Sequence, residues 1–181
     1  MPNLNTAQIV CTGCGDKLQI TLKTHATGGR GATSVTPFSI AQRYVGMTEI
    51  PGSNHNPQIL SMLRLDMEWP KGDEVPWCSA FTNYVAWLLR LPRSKSLRAR
   101  SWLNVGAHVT QETAEVGYDV VILQRGTGQQ PGPDIINAPG HVGFFAGFDG
   151  GKVMLLGGNQ GDQVSVSSYS ASRILGIRRL V

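Results

Sequence analysis

His141-Val142-Gly143-Phe144-Phe145-Ala146-Gly147-Phe148-Asp149-Gly150-Gly151-Lys152 is the stretch that decides the fold. Val142, Phe144, Ala146 and Phe148 alternate with His141, Gly143, Phe145 and Gly147, the period-two pattern of a strand with two distinct faces. Asp149-Gly150-Gly151 is a hairpin turn, because glycine adopts the positive φ that tight turns need. Lys152 to Asn159 then returns as the next strand. A three-residue turn pairs Phe148 with Lys152, and the same register sets His141 opposite Asn159. Directly opposed residues point to one face, so an imidazole and a carboxamide are expected as neighbours. A bulge at Gly157-Gly158 would shift that register by one residue.

The alternation continues outward from this hairpin. Asp119 to Arg125, Gln163 to Ser167 and Ile174 to Leu180 read as further strands, with a Gly/Pro/Gln loop from Gly126 to Gly140. Upstream the period becomes helical. Pro37 to Val45 places Ile40, Ala41, Tyr44 and Val45 on one face and stops at Gly46. Pro57 to about Leu65 is a second helix, and Ser96 to Leu103 a short one carrying Ala99 and Trp102 inward. Helices first and hairpin-connected strands after them predict an α+β domain with an antiparallel sheet.

Between those helices lies Val75-Pro76-Trp77-Cys78-Ser79-Ala80-Phe81. Trp77, Phe81, Tyr84, Val85 and Leu88 make an apolar helical stripe, and Pro76 suits a helix start because its missing N–H is not needed there. Cys78 therefore falls in the first turn. Free N–H groups and the positive end of the helix dipole favour a thiolate at that place. Taken alone, such a cysteine is more often a small hydrophobe in a helix–core contact. A cysteine nucleophile needs a base, and the base needs a third group to fix its tautomer and tilt. His141 and Asn159 are the expected base and orienting group. His25, His55 and His108 have no ordered acceptor at a predictable spacing.

The remaining composition sets bounds. A length of 181 residues fits one domain with an extension; 22 glycines with 15% charged residues suit a loop-rich α+β protein. No apolar run is long enough to span a bilayer. Met1 to Asn5 lacks the basic start and apolar stretch of a secretory signal, so the chain is expected to be made in the cytoplasm. The net charge of +4 fits an anionic partner such as a cell-wall polymer. The basic residues from Arg90 to Arg100 read as a solvated surface, and no nucleic-acid module is recognisable. Cys11 and Cys14 form a single C-x-x-C, which with His25 and no fourth ligand reads as a local turn or redox pair rather than zinc. Residues 1–36 read as an N-terminal extension and linker, and 37–181 as the catalytic domain.

These residues together resemble the CHAP family, the cysteine, histidine-dependent amidohydrolases/peptidases, and within it a subgroup of small bacterial and phage proteins. The resemblance spans roughly Pro37 to Leu180. It rests on Glu49-Ile50-Pro51-Gly52 with Asn56-Pro57, Pro76-Trp77-Cys78-Ser79-Ala80-Phe81, Ala99-Arg100-Ser101-Trp102-Leu103, Gly140-His141-Val142-Gly143-Phe144 and Leu156-Gly157-Gly158-Asn159-Gln160. It implies a papain-like fold and a peptidoglycan hydrolase that cuts amide bonds of the cell-wall peptide, as an endopeptidase or an N-acetylmuramoyl-L-alanine amidase. Cys78 would attack the carbonyl, His141 would take the thiol proton and return it to the leaving amine, and Asn159 would orient His141. The backbone N–H of Cys78 would hold the oxyanion.

Two features depart from the family. The place two before the Asn, where many members carry a Glu, holds Gly157. The loop ahead of the cysteine has only scattered Asp66, Glu68 and Asp73, too few for a calcium site, so no metal and no cofactor are expected. Without a signal the protein would act in the periplasm or cell wall after lysis, as a phage lysin, or after dedicated export, as an antibacterial effector with a cognate immunity protein. The competing readings are a cysteine protease or deamidase acting on proteins, and a wall-binding module with a degenerate site.

Overall fold

The computed structural model describes residues 4–10, 17–23, 34–52 and 54–181. The chain divides into two units, Met1–Ser34 and Val35–Val181. In the first, β1 (Leu4–Val10) and β2 (Lys17–Lys23) pair antiparallel, with Ala7 facing Ile20. The C-x-x-C of Cys11 and Cys14, and His25, lie outside the described residues.

The second unit is α+β. Three helices, α1 (Pro37–Ala41), α2 (Pro57–Leu63) and α3 (Cys78–Leu88), precede most of the sheet. Each of the first two begins at a side-chain cap. Thr36 and Ser39 form a reciprocal capping box, and Asn56 accepts from the N–H groups of Gln58 and Ile59; in both a proline follows the cap. The end of the first expected helix and the expected short helix at Ser96 to Leu103 differ in form. Gln42–Tyr44 and Ala99–Asn104 are 3₁₀ turns, the latter burying Trp102 fully.

The strands are β3 (Ala107–Val109), β4 (Asp119–Gln124), β5 (Gly140–Asp149), β6 (Lys152–Gly157), β7 (Ser165–Ser170) and β8 (Ile174–Arg179). They form one antiparallel sheet in the order β3-β8-β4-β5-β6-β7. The short β3, which carries His108, is too brief to show a period in the sequence. One sheet face packs Val120, Ile122, Val142, Phe144 and Leu156 against Phe81, Val85 and Trp102. The other gathers Val121, Leu123, Phe145, Val153, Leu155 and Ile177.

The β5–β6 hairpin differs from its expected turn. Asp149 pairs with Lys152, leaving a two-residue turn in which Gly150 and Gly151 both have positive φ, 49° and 81°. A bulge between Phe145 and Gly147 then absorbs one residue, so from Phe145–Leu155 inward the register is the expected one. The bulge also breaks the alternation. Phe148 leaves the helix-facing row and lies 5.0 Å from Phe145, centroid to centroid, on the other side.

Pairing between β5 and β6 stops at Phe144–Leu156, while β5 stays paired with β4 as far as Gly140. The start of α3 fills the resulting opening. Gly158, just past β6, lies so close to the Trp77 ring and the Phe81 Cβ that a side chain there would overlap both. On the other side of the opening, the backbone N–H of Val142 is turned to the Cys78 sulfur instead of to a strand partner.

Candidate active site

Cys78 is the first residue of α3, and Trp77 stands in the cap position without a side-chain cap bond. The N–H groups of Ser79 and of Cys78 itself, which no capping side chain takes, are directed at the sulfur, and so from across the opening is that of Val142. These donors pull the thiol pKa down, but the residue is only 3% exposed and burial outweighs them, pushing the thiol up. The helix start therefore does not by itself yield the thiolate expected from sequence.

His141 is the second residue of β5, one residue before the Val142 amide that is directed at the sulfur. It is 6% exposed. Its Nε2 lies 3.0 Å from Oε1 of Gln160. The Gln160 amide has one permitted orientation, because its Nε2 meets the carbonyl of Ser165 at 2.5 Å, and a carbonyl can only accept. Oε1 must then face His141, where it also accepts from the Tyr169 hydroxyl at 3.0 Å. The consequence for the imidazole is a fixed tautomer: Nε2 carries the proton and Nδ1 keeps its lone pair. Burial, with smaller contributions from the Arg125 and Arg173 charges, lowers His141 to about 4 against the pull of the Gln160 bond. Cys78 and His141 thus rest as neutral thiol and neutral imidazole.

Asn159 is not the carboxamide at His141. The chain leaves β6 after Gly157 and turns at Asn159, which has a positive φ of 57°. Asparagine tolerates this left-handed conformation better than most residues. The turn swings its side chain toward Glu49, whose Oε1 accepts from Asn159 Nδ2 at 2.9 Å and from Trp77 Nε1 at 2.6 Å. Asn159 so ties the β6–β7 connection to the residue that precedes Cys78, and Gln160 takes the place beside the imidazole. The register was right, but β6 ends two residues before it would reach Asn159, and no spacing rule extends beyond a strand's end.

Three other residues complete the surroundings. The Tyr169 ring lies 5.4 Å from that of His141, and burial raises its hydroxyl pKa against the lowering pull of the Arg173 charge. Arg173 sits over the Tyr169 ring at 5.7 Å and donates twice to the carbonyl of Gln124. Arg125 is exposed, yet its charge lowers Cys78, His141 and Tyr169 alike. Below them the buried Arg100 guanidinium donates to the carbonyls of Pro131, Gly132, Ile135 and Pro139 and so shapes the loop that leads into β5.

The His55, Asp73 and Glu74 side chains are the one set among the described residues close enough together to hold a cation. The chain itself already accounts for Asp73. Its Oδ2 accepts from the N–H groups of Ile50 and Asn56, and its Oδ1 lies 3.0 Å from His55 Nδ1. These bonds fasten the loop before α2 to the loop before Cys78, a bracing duty that neither Asp73 nor His55 suggested in the sequence.

No protein-family model matches the chain, and comparison with curated proteins finds no match. A buried thiol at a helix start, with the Val142 amide directed at it from the residue after a histidine of fixed tautomer held by a carboxamide, defines the chemistry this arrangement can support. The histidine can accept a proton at Nδ1, and the sulfur can attack an electrophilic carbonyl once relieved of its own.

Proposed function

We propose that the chain is a papain-like, cysteine-dependent hydrolase of amide bonds in the cell-wall peptide. The observation that carries this reading is the His141–Gln160–Ser165 chain of contacts, which leaves Nδ1 unprotonated on the residue next to the amide that meets Cys78. In the first half-reaction Nδ1 takes the Sγ proton as sulfur bonds to the carbonyl carbon. The resulting oxyanion is stabilised by the Cys78 N–H. Collapse breaks the C–N bond, and the imidazolium returns the proton to the leaving amine, giving a thioester. In the second half, His141 deprotonates a water that attacks the thioester, and Cys78 leaves as the thiol. Gln160 holds the ring through both halves and accepts a stronger hydrogen bond from Nε2 while the ring is charged.

Support for the cell-wall substrate comes from the CHAP-like motifs and from the net charge of +4 opposite an anionic polymer. The protein would reach that substrate after lysis, as a lysin, or through a dedicated export route, in which case a cognate immunity protein should block the opening above Cys78. The test is release of dye-labelled fragments from purified peptidoglycan beside release from a dye-labelled protein such as casein. Wall fragments from wild type and none from Cys78→Ala are expected. Release from casein alone would replace the wall with protein as substrate. Wall binding unaffected by Cys78→Ala, with no release from either material, would replace catalysis with binding.

A further inference from the structure

Arg125 follows the last residue of β4, and its N–H bonds the carbonyl of Pro139 at 3.4 Å, prolonging the β4–β5 ladder by one pair. Within that ladder Leu123 pairs with His141. Side chains two apart on a strand share a face, so Arg125, Leu123 and His141 line one side of the β4–β5 pair, with Arg125 at its open end. The guanidinium is exposed, unlike His141, and the ion pairs among the described residues engage Arg93 and Arg179 but not Arg125.

Its neighbour Arg173 is differently placed. That side chain is spent on the Gln124 carbonyl and on the Tyr169 ring. The charges of both arginines bear on His141 and lower it. The site therefore has a positive rim, and among the described residues no ion pair engages Arg125. The Glu49 carboxylate, next to Cys78 through Trp77, is occupied by Trp77 and Asn159.

We infer that Arg125 is a specificity residue that binds a free carboxylate on the residue flanking the scissile amide. This deepens the reading of the chain as a wall-peptide hydrolase and rests on it. Wall peptides contain such groups where a residue is linked through its side chain: a γ-linked glutamate keeps its α-carboxylate, and diaminopimelate keeps a second one. Arginine suits this duty, since its planar fork can donate two parallel bonds to one carboxylate. The bound anion would also offset the rim charge, so the imidazole would gain basicity as substrate arrives.

The experiment uses two synthetic muropeptides that differ only in the α-group of the γ-linked glutamate, carboxylate in one and carboxamide in the other. Wild type, Arg125→Gln and Arg125→Lys are compared by kcat/KM on each. Wild type is expected to favour the carboxylate about tenfold or more, the scale of one charge-assisted hydrogen bond. In Arg125→Gln the ratio of kcat/KM on carboxylate to carboxamide should fall to about one, and Arg125→Lys should keep part of the preference. An equal rate of wild type on the two peptides, or a ratio unchanged in Arg125→Gln, would overturn the role of Arg125 while leaving the hydrolase intact. Cleavage of neither peptide by a wild type that also leaves purified wall intact would remove both.

Discussion

Nε2 of His141 and Oε1 of Gln160 lie 3.0 Å apart, and the second end of the same amide is fixed on the Ser165 carbonyl. This relationship assigns the orienting duty to Gln160 and a bracing duty to Asn159. Gln160→Ala should therefore lower kcat about a hundredfold or more with a modest effect on KM, since a misoriented or wrong-tautomer histidine costs up to about 10⁴-fold in hydrolases of this logic. Asn159→Ala should cost less in rate and more in stability. Steady-state kinetics with thermal melts on both variants decides between them, and a larger kcat loss in Asn159→Ala would reverse the assignment.

The neutral resting pair has a kinetic signature. Burial holds the Cys78 thiol up and His141 down to about 4, so a preformed thiolate–imidazolium pair is absent at neutral pH. Alkylation of Cys78 by iodoacetamide should be slow at pH 6 and rise steadily toward pH 9 as thiolate forms. A rate that is high and flat from pH 5 upward would show a preformed ion pair instead.

Stability should depend on pH through the same histidine. His141 titrates at about 4 in the fold against 6.5 for the free side chain. Between those values the unfolded chain binds more protons, so stability is fully present above about pH 6.5 and is lost as pH falls toward about 4. The loss attributable to this one group is on the order of 3 kcal/mol. Denaturant melts at pH 7 and pH 4.5 should show a smaller pH-dependent loss in His141→Gln than in wild type. An equal loss in the two proteins would mean that His141 is not buried in its neutral form.

The wedge at the top of β5 and β6 depends on one absent side chain. A Cβ on Gly158 would overlap the Trp77 ring and the Phe81 Cβ. Gly158→Ala should destabilise the protein by about 1–3 kcal/mol and reduce activity by displacing Asn159 and Gln160. Glu49→Ala strands the Trp77 N–H and the Asn159 amide for about 1–3 kcal/mol, whereas Glu49→Gln retains an acceptor and should cost less. Urea midpoints of the three variants test the ranking, and an unchanged midpoint in Gly158→Ala would contradict the tight wedge.

The parts of this fold that repeat a period were legible in the sequence. The strands from Asp119 onward, the proline-led helices and the start of α3 at Cys78 all follow from patterning and caps. The hairpin was readable for a less direct reason. A turn one residue shorter than expected and a bulge at Ala146 cancel, so the pairing at Phe144–Leu156 agrees although its derivation does not. The places of Cys78 at a helix start and of His141 at the beginning of β5 were legible. Gln160 was not, because its position depends on where β6 ends and on a left-handed turn at Asn159, neither of which has a period. The pKa directions were hidden for a similar reason: helix dipoles are local and can be read from sequence, whereas burial depends on which elements close over the residue.

The central claim is that Cys78 cuts an amide of the wall peptide. Purified peptidoglycan digested with wild type and with Cys78→Ala, followed by mass spectrometry of the soluble fragments, tests it most directly. New amino and carboxyl ends at a single amide type, in the wild-type digest alone, are the result this account predicts. Identical fragments from both proteins, or fragments cut only at a glycosidic bond, would contradict it.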